Sequence, residues 1–600
     1  MLVGTAVAPG IAIGSALVWA RRVTSVRRRR VSRVGVARQR ERLEQALWRV
    51  GLELDELAAR VAVSVGESAA GVFRAHRMFL ADPQFVAAIR RGIDEEHLSA
   101  DSAVYGAART LARRIASASN PYLAARADDI RDLGARLLTH LRREDARRGP
   151  ALDAPSVVIA DALSAAEVVS LNRKFLVALV MCQTAPTSHA ALLASTLGVP
   201  VVCGVPELAG KVQSGDTVVV DGTHGHVLVE PPELALREYR TRQALFARFA
   251  GRLAGLRDAP AVTPDGRTVR LTANIALAEE VPHALAQGAE GIGLLRTEYF
   301  YASQSSAPGE EEQYRFYAGV AEAMAPRPVT FRTFDFGGDK PLTGADATPE
   351  ANPMLGCRGV RFLAERPDVF ATQIRALLRA SQHGSIRVML PMITSLTEFQ
   401  QTLRFVEDIK DAIRADGIPF DESIPFGCMI ETPAAATIPD ILTTETAFLS
   451  IGSNDLIQYT LAADRTNPRV AYIYEPLHLA VLRMMRTIIR AARRRHRPVS
   501  LCGEMAADPI YTIILLGLGV DELSMNPTMI PAIKQIIRGV PWAEARALAR
   551  GVFREQRARD VQSYLERTMV ERFPEMMSVY GYSTESGDSA PIRDVSSEKP

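Results

Sequence analysis

A histidine flanked by hydroxyl residues stands at the head of an apolar run, Thr187-Ser188-His189 leading into Ala190-Ala191-Leu192-Leu193. Ser or Thr before a helical run is an N-cap signal, and helix N-termini favour phosphate. A histidine placed there could carry a phosphoryl group. A second set of reactive residue types recurs downstream, each just past a short apolar segment. Arg296-Thr297-Glu298 follows one segment, and Arg332 and Asp335 belong to another. Glu431 ends a third, Gly452-Ser453-Asn454-Asp455 a fourth with Arg465 in the loop beyond, and Cys502-Gly503-Glu504 a fifth. Arginines clamp phosphate and carboxylate through paired donors. Glu431 and Asp455 suit a hard cation such as magnesium, which takes oxygen ligands and often keeps substrate phosphate in its shell. The Cys502 thiol can give or take a proton, or act as a nucleophile. Together these residues describe a pocket for a small phosphorylated acid.

Each has a plainer reading. Arg296 can simply pair with Glu298, and Arg332 with Asp335. A lone buried cysteine is more often a small hydrophobe than a catalyst. Gly337-Gly338 marks a turn, and a single histidine is more often structural than phosphorylated. The joint placement at five segment ends favours the pocket.

Such a set needs a scaffold whose strand ends converge. Downstream of Val262, strand-like runs alternate with helical ones: Val269–Ile275, Gly291–Leu295, Val329–Phe334, Ile386–Leu390, Phe426–Ile430, Ala447–Ile451, Pro498–Leu501 and Val520–Ser524. Eight such units predict a (β/α)8 barrel, a fold of ~250 residues plus insertions with its site at the C-terminal strand ends. Upstream, residues 1–20 read as strands, and Gln39 to Leu141 shows helical spacing (Leu43, Leu47, Val50, Leu54, Leu57). Strand signals return at Ser156–Ala160, Leu176–Val180, Pro200–Cys203 and around Thr217–Val220. A helical block is therefore inserted into a small α/β domain. Pro231-Pro232 then opens a charged connecting helix, Glu233 to Leu256.

At 600 residues the chain is too long for one core. Its net charge of +3 is small for that length and implies no polyanion partner. The crowded arginines between Arg21 and Arg42 read as a solvated loop feeding a charged helix, because no aromatic residue interleaves them. Five widely spaced cysteines argue against disulfides and zinc and for a reducing compartment. Met1 to Ala20 lacks a basic opening and is broken by Pro9-Gly10 and Gly14, unlike a signal peptide. No apolar run reaches membrane-spanning length. The expectation is a cytoplasmic protein with no nucleic-acid partner and no membrane insertion.

Longer motifs narrow the reading: Phe73-Arg74-Ala75-His76-Arg77-Met78 with Asp82-Pro83, Gly293-Leu294-Leu295-Arg296-Thr297-Glu298, Glu350 to Arg358, Ile451-Gly452-Ser453-Asn454-Asp455-Leu456 and Leu501-Cys502-Gly503-Glu504. With Thr187-Ser188-His189, they make the chain resemble Enzyme I of the bacterial sugar phosphotransferase system from Gly4 to about Met577. The resemblance implies an α/β fold in five parts. Residues 1–20 and 146–230 would form a phosphohistidine swivel domain, and 21–145 a helical insert that binds the carrier protein HPr. Residues 231–260 would be a linker helix, 261–577 a TIM barrel that binds phosphoenolpyruvate and dimerises, and 578–600 a disordered tail.

In that family His189 would take the phosphoryl group of phosphoenolpyruvate and pass it to a histidine of HPr. Arg296, Arg332 and Arg465 would hold the substrate beside Asn454, with Arg358 and Lys340 completing the anion pocket. Glu431 and Asp455 would bind Mg2+, and Cys502 would protonate the enolate carbon to release pyruvate. Phe73, Met78 and Phe79 are candidate HPr contacts that helical spacing also allows to be core, and His76 reads as structural. A homodimer is implied. Two departures stand out: Thr184-Ala185-Pro186 where the family usually has two glycines, and Ser195 where it usually has Arg. They leave a weakly active or inactive phosphorelay regulator as an alternative. A phosphoenolpyruvate-synthase-like enzyme would also need an ATP-binding domain, for which no region is free.

Overall fold

The computed structural model describes the chain except residues 20–25, 27, 65–72, 74, 75, 78, 117–120, 143–151, 164–166, 169, 170, 185–188, 196, 209, 304–307, 338–349, 466, 468 and 581–600. Eight strands form the first sheet: β1 (Leu2–Val3), β2 (Thr5–Ala8), β3 (Ile11–Trp19), β4 (Ser156–Ala160), β5 (Leu176–Met181), β6 (Val201–Cys203), β7 (Thr217–Asp221) and β8 (His226–Val229). Their order is β1-β8-β7-β3-β4-β5-β6-β2. β3 and β4 are parallel neighbours although residues 20–155 lie between them. That interval holds the helices Val36–Ser64, Pro83–Asp94, Ala100–Ala116 and Pro121–Arg142. The middle strands carry continuous apolar runs, Val157 to Ala160 in β4 and Leu176 to Met181 in β5, because both faces are covered. Val158, Ala160, Leu179 and Met181 join the core shared with the helices, whereas Val157, Ile159, Ala178 and Val180 build a second core on the opposite face.

The helix Glu233–Ala254 connects the halves physically. Its Tyr239 packs with Ile11 and Val219 of the first sheet, and its Phe249 and Leu253 enter the core of the second half. There eight parallel strands close into a barrel: β9 (Arg270–Ile275), β10 (Ile292–Arg296), β11 (Val329–Arg332), β12 (Ile386–Leu390), β13 (Phe426–Ile430), β14 (Leu449–Ile451), β15 (Val499–Leu501) and β16 (Glu522–Met525). All eight lie where the apolar runs placed them. Strand side chains alternate, so one set faces the surrounding helices and the other fills the barrel axis. The axial set includes Leu294, Met389, Met429 and Phe448, with Cys502 above them.

One boundary is corrected. The expected tail from 578 begins too early, because Ser578 and Val579 complete the helix Pro574–Val579 and the Tyr580 ring meets Phe249 at 6.3 Å. No helix among the described residues is long and apolar enough to cross a membrane.

Candidate active site at the C-terminal mouth of the barrel

Alternation aims the reactive residues. Leu294 and Met429 face the axis, so two residues on Arg296 and Glu431 face the same way at the C-terminal rim. Arg332 ends β11, Ser453–Asp455 open the helix Ser453–Leu461 after β14, and Cys502 follows β15. Arg358 arrives from a loop that glycine lets close: Gly337 has φ +96°, and a Cβ there would lie 2.0 Å from the Cys357 carbonyl.

At the rim, Arg332 bonds Glu298 through Nη2 (3.0 Å) and faces Asp335 through Nη1 (3.3 Å). Arg358 grips Asp335 with Nε (3.2 Å) and Nη2 (2.9 Å), bonds Asp455 with Nη2 (2.8 Å) and donates from Nη1 to the Tyr459 hydroxyl (2.9 Å). All six charged groups of this cluster, Glu298, Asp335, Glu431, Asp455, Arg332 and Arg358, are buried. Four carboxylates therefore face two guanidiniums, and the cluster is short of positive charge. Burial raises the pKa of Glu431 to about 8, with Asp455 and Asp335 adding to the rise and Arg358 and Arg332 opposing it. Both arginines stay charged, because the surrounding acids outweigh the effect of burial.

Polar atoms here lack partners. Asp455 Oδ1, Arg332 Nε, Ser453 Oγ and Thr333 Oγ1 are all buried without a hydrogen bond. Buried polar groups are normally satisfied, so such a concentration marks a place built for something else to bind. Glu431 uses Oε1 to accept from the Met392 amide (2.6 Å). A divalent cation between Glu431 and Asp455 would supply the missing charge. No group of three or more His, Cys, Asp or Glu among the described residues can hold a metal. The remaining oxygen ligands would then come from ligand and water, as magnesium accepts.

Cys502 lies at the floor of this mouth, where burial raises its thiol to about 11, and Ser450 Oγ donates to Sγ at 3.3 Å. Asn274 holds the Cys502 carbonyl (3.0 Å). Asn454 and Glu504 are locked reciprocally: Asn454 Nδ2 donates to the carboxylate (3.1 Å) and the Glu504 amide donates back to Oδ1 (2.9 Å). Arg296 makes no ion pair among the described residues, so the plainer alternative of a pairing with Glu298 is absent; Glu298 binds Arg332 instead. Arg465 lies in the loop after that helix, its amide donating to Gln458 Oε1 (3.1 Å).

The structure thus brings together Arg296, Arg332, Arg358, Glu431, Asn454, Asp455 and Cys502. Lys340 and Met78 lie outside the described residues. His189 is the first residue of the helix His189–Ser195, and its side chain and residues 185–188 also lie outside what is described. Phe73 and His76 are buried, Phe73 entirely, and belong to the helical core rather than to a surface. Asp335 and Glu298 were read only as partners for arginine; their centrality depends on where the loops return, which spacing along the chain does not reveal. Tyr459, which buttresses Arg358, carried no signal at all.

Three family models match the chain: "PEP-utilising enzyme, N-terminal" over residues 3–126, "PEP-utilising enzyme, mobile domain" over 152–225 and "PEP-utilising enzyme, PEP-binding domain" over 251–541. A protein of Geobacillus stearothermophilus named phosphoenolpyruvate-protein phosphotransferase is 38% identical over 565 residues, covering 94% of this chain and 97% of its own. One of the same name from Priestia megaterium is 38% identical, covering 90% and 94%. A solution structure described as Enzyme I is 28% identical and covers 41% of this chain and 100% of its own, with a TM-score of 0.36.

Proposed function

The chain belongs to the phosphoenolpyruvate–protein phosphotransferases, enzymes of the first step of the sugar phosphotransferase system, and on that premise we propose how its residues divide the work. Arg296, Arg332 and Arg465, with Asn454, hold phosphoenolpyruvate at the barrel mouth. Arg358 has its fork already engaged by Asp335, Asp455 and Tyr459, so it acts by holding Asp455 in place. Glu431 and Asp455 would hold Mg2+, which when bound would supply positive charge against the phosphorylated anion. The observation that carries this reading is the buried cluster short of positive charge, with Asp455 Oδ1 left unpaired.

A ring nitrogen of His189 attacks phosphorus; the P–N bond forms as the P–O bond to the enolate breaks. Such a step is helped mainly by positioning and charge neutralisation, which the arginines provide. The enolate carbon then takes the proton of Cys502. A thiol raised to about 11 is protonated at neutral pH, the state an acid must start in. Ser450, Arg332 and Arg296 stabilise the thiolate left behind, pyruvate departs, and solvent restores the proton. The phosphoryl group passes from His189 to a histidine of HPr docked on the helical insert, and the barrels pair as a homodimer.

Incubation with 32P-phosphoenolpyruvate and Mg2+ tests this. An acid-labile, base-stable label should appear on the wild type, move to added HPr and be absent from His189→Ala. Labelling of that variant, or none on the wild type, would overturn the assignment and favour a regulator.

A further inference from the structure

One flank of the barrel carries a charge that the net value hides. Residues 479–497 contain seven arginines and no acid, and 542–559 contain five arginines and two glutamates, in a chain whose total is only +3. The helix Leu479–Arg494 turns Val481, Leu482, Met485, Ile488 and Ile489 inward. Arg483, Arg486, Arg490 and Arg494, three or four residues apart, share another face. The helix Trp542–Val552 lies beside it: the Arg486 guanidinium is 3.9 Å from the Phe553 ring, and that of Arg493 is 5.6 Å from Trp542.

These cations are unneutralised. Among the described residues, none of the seven in 479–497 forms an ion pair, nor do Arg546, Arg550 or Arg554. Elsewhere on the barrel, Arg375, Arg379 and Arg414 each contact two or more acids. Crowding is felt within the ridge, where burial and then Arg490 and Arg483 lower the pKa of Arg486. Two further donors at this edge, Trp542 Nε1 and Arg267 Nε, are buried with no acceptor.

We infer that this flank binds the phosphodiester backbone of duplex nucleic acid, without reading its sequence. Guanidinium forks match phosphate. Binders of single strands use exposed aromatic platforms, but here Arg267, Arg493 and Arg546 crowd Trp542 at 5.3, 5.6 and 4.9 Å. An interfacial membrane helix needs an exposed apolar face, and none of the exposed large hydrophobic residues lies in either segment. Arg493 to Arg497 lead into the start of β15, at the end of the barrel opposite Cys502, so a bound duplex leaves the mouth open.

The test is fluorescence anisotropy of the full-length protein with a labelled 20-base-pair duplex at rising salt. Binding should weaken steeply with salt, by ~0.9 in log K per log unit for each phosphate neutralised. The combined variant Arg483→Glu, Arg490→Glu, Arg494→Glu should bind at least tenfold more weakly and with a shallower slope. A milder set, the same arginines to Gln, covers the chance that reversal disturbs folding, and phosphoenolpyruvate-dependent labelling should be unchanged in both sets. No duplex binding at 50 mM salt, equal binding by the Gln set, or preference for phosphatidylglycerol vesicles that duplex does not displace would each overturn the assignment.

Discussion

The two ends of the barrel are both lined with buried charge, and they are finished differently. At the N-terminal end Glu522 is enclosed by Arg270 Nη1 and Arg387 Nη1, each 3.3 Å from Oε2, and by the Thr272 hydroxyl 3.1 Å from Oε1. This cluster borders a cavity of about 290 Å3, among whose lining residues only Glu290 has an unpartnered buried atom. At the C-terminal end four carboxylates face two arginines, and several polar atoms have no partner. A satisfied buried network rigidifies, whereas an unsatisfied one gains most when a ligand completes it. One end of this barrel holds the fold; the other is held ready for charge.

The largest expected effect breaks the comparison at the mouth. Asp455→Asn or Glu431→Gln should reduce the rate of phosphoryl uptake by ~1,000-fold or more, since electrostatic groups of this kind each contribute on that scale. Neither should lower the melting temperature of the metal-free protein: Asp455→Asn removes one charge from a cluster with too many of the same sign, and Glu431→Gln replaces a carboxyl that already keeps its proton at neutral pH. Rapid-quench labelling and calorimetry on the same samples check both halves. A marked drop in melting temperature would show that the acids hold the fold, as at the other end. Arg358→Ala should lose both properties, roughly 3–5 kcal/mol of stability together with uptake, because it leaves Asp455 without its cation and Asp335 with Arg332 alone.

Why the mouth was so legible follows from barrel geometry. A parallel strand of three to six residues ends where its apolar run ends, so Arg296, Glu431 and Cys502 announce themselves by position alone. Arg358 and Asp335 could not be joined in the same way: their contact depends on a loop path that spacing does not encode. The resemblance supplied Arg358 as a substrate ligand, and its bonds to Asp335 and Asp455 are what spacing could not supply. The basic flank escaped for a different reason. Its arginines are spread over two segments, and a whole-chain charge of +3 averages them away. The arginine run near the N-terminus drew attention by local density, yet Arg28, Arg40 and Arg42 there pair with Glu96, Asp94 and Asp101.

A smaller effect tests the opposite mouth. Glu522→Gln should cost about 2–3 kcal/mol, less than a fully buried pair because Arg270 is 46% exposed and can turn to water. Urea unfolding measures the loss, and the labelling rate at saturating substrate should stay within about twofold of wild type, a margin of under 0.5 kcal/mol. A large fall in rate with little loss of stability would erase the distinction between the two ends.

The smallest effect is a pH dependence that sharpens the account of the mouth. Burial, then Asp455 and Asp335, raise Glu431 from an ordinary value of 4.5 to about 8. The folded metal-free protein therefore keeps a proton that the unfolded chain releases, so stability falls as pH rises from about 4.5 towards 8. Metal binding needs the carboxylate and must expel that proton. Magnesium affinity should consequently rise by roughly 25-fold from pH 6.5 to 8.5, as the ionised fraction of a group titrating at about 8 does, and the thermal shift it produces should grow over the same interval. Glu431→Gln has no proton to lose there, so its metal-free melting curve should flatten between pH 5 and 8 and its weak magnesium response should not change with pH. An equal magnesium response at both pH values in the wild type would mean that Glu431 is already ionised in the folded chain, and the charge shortage inferred for the mouth would have to be made up by a cation of the protein itself.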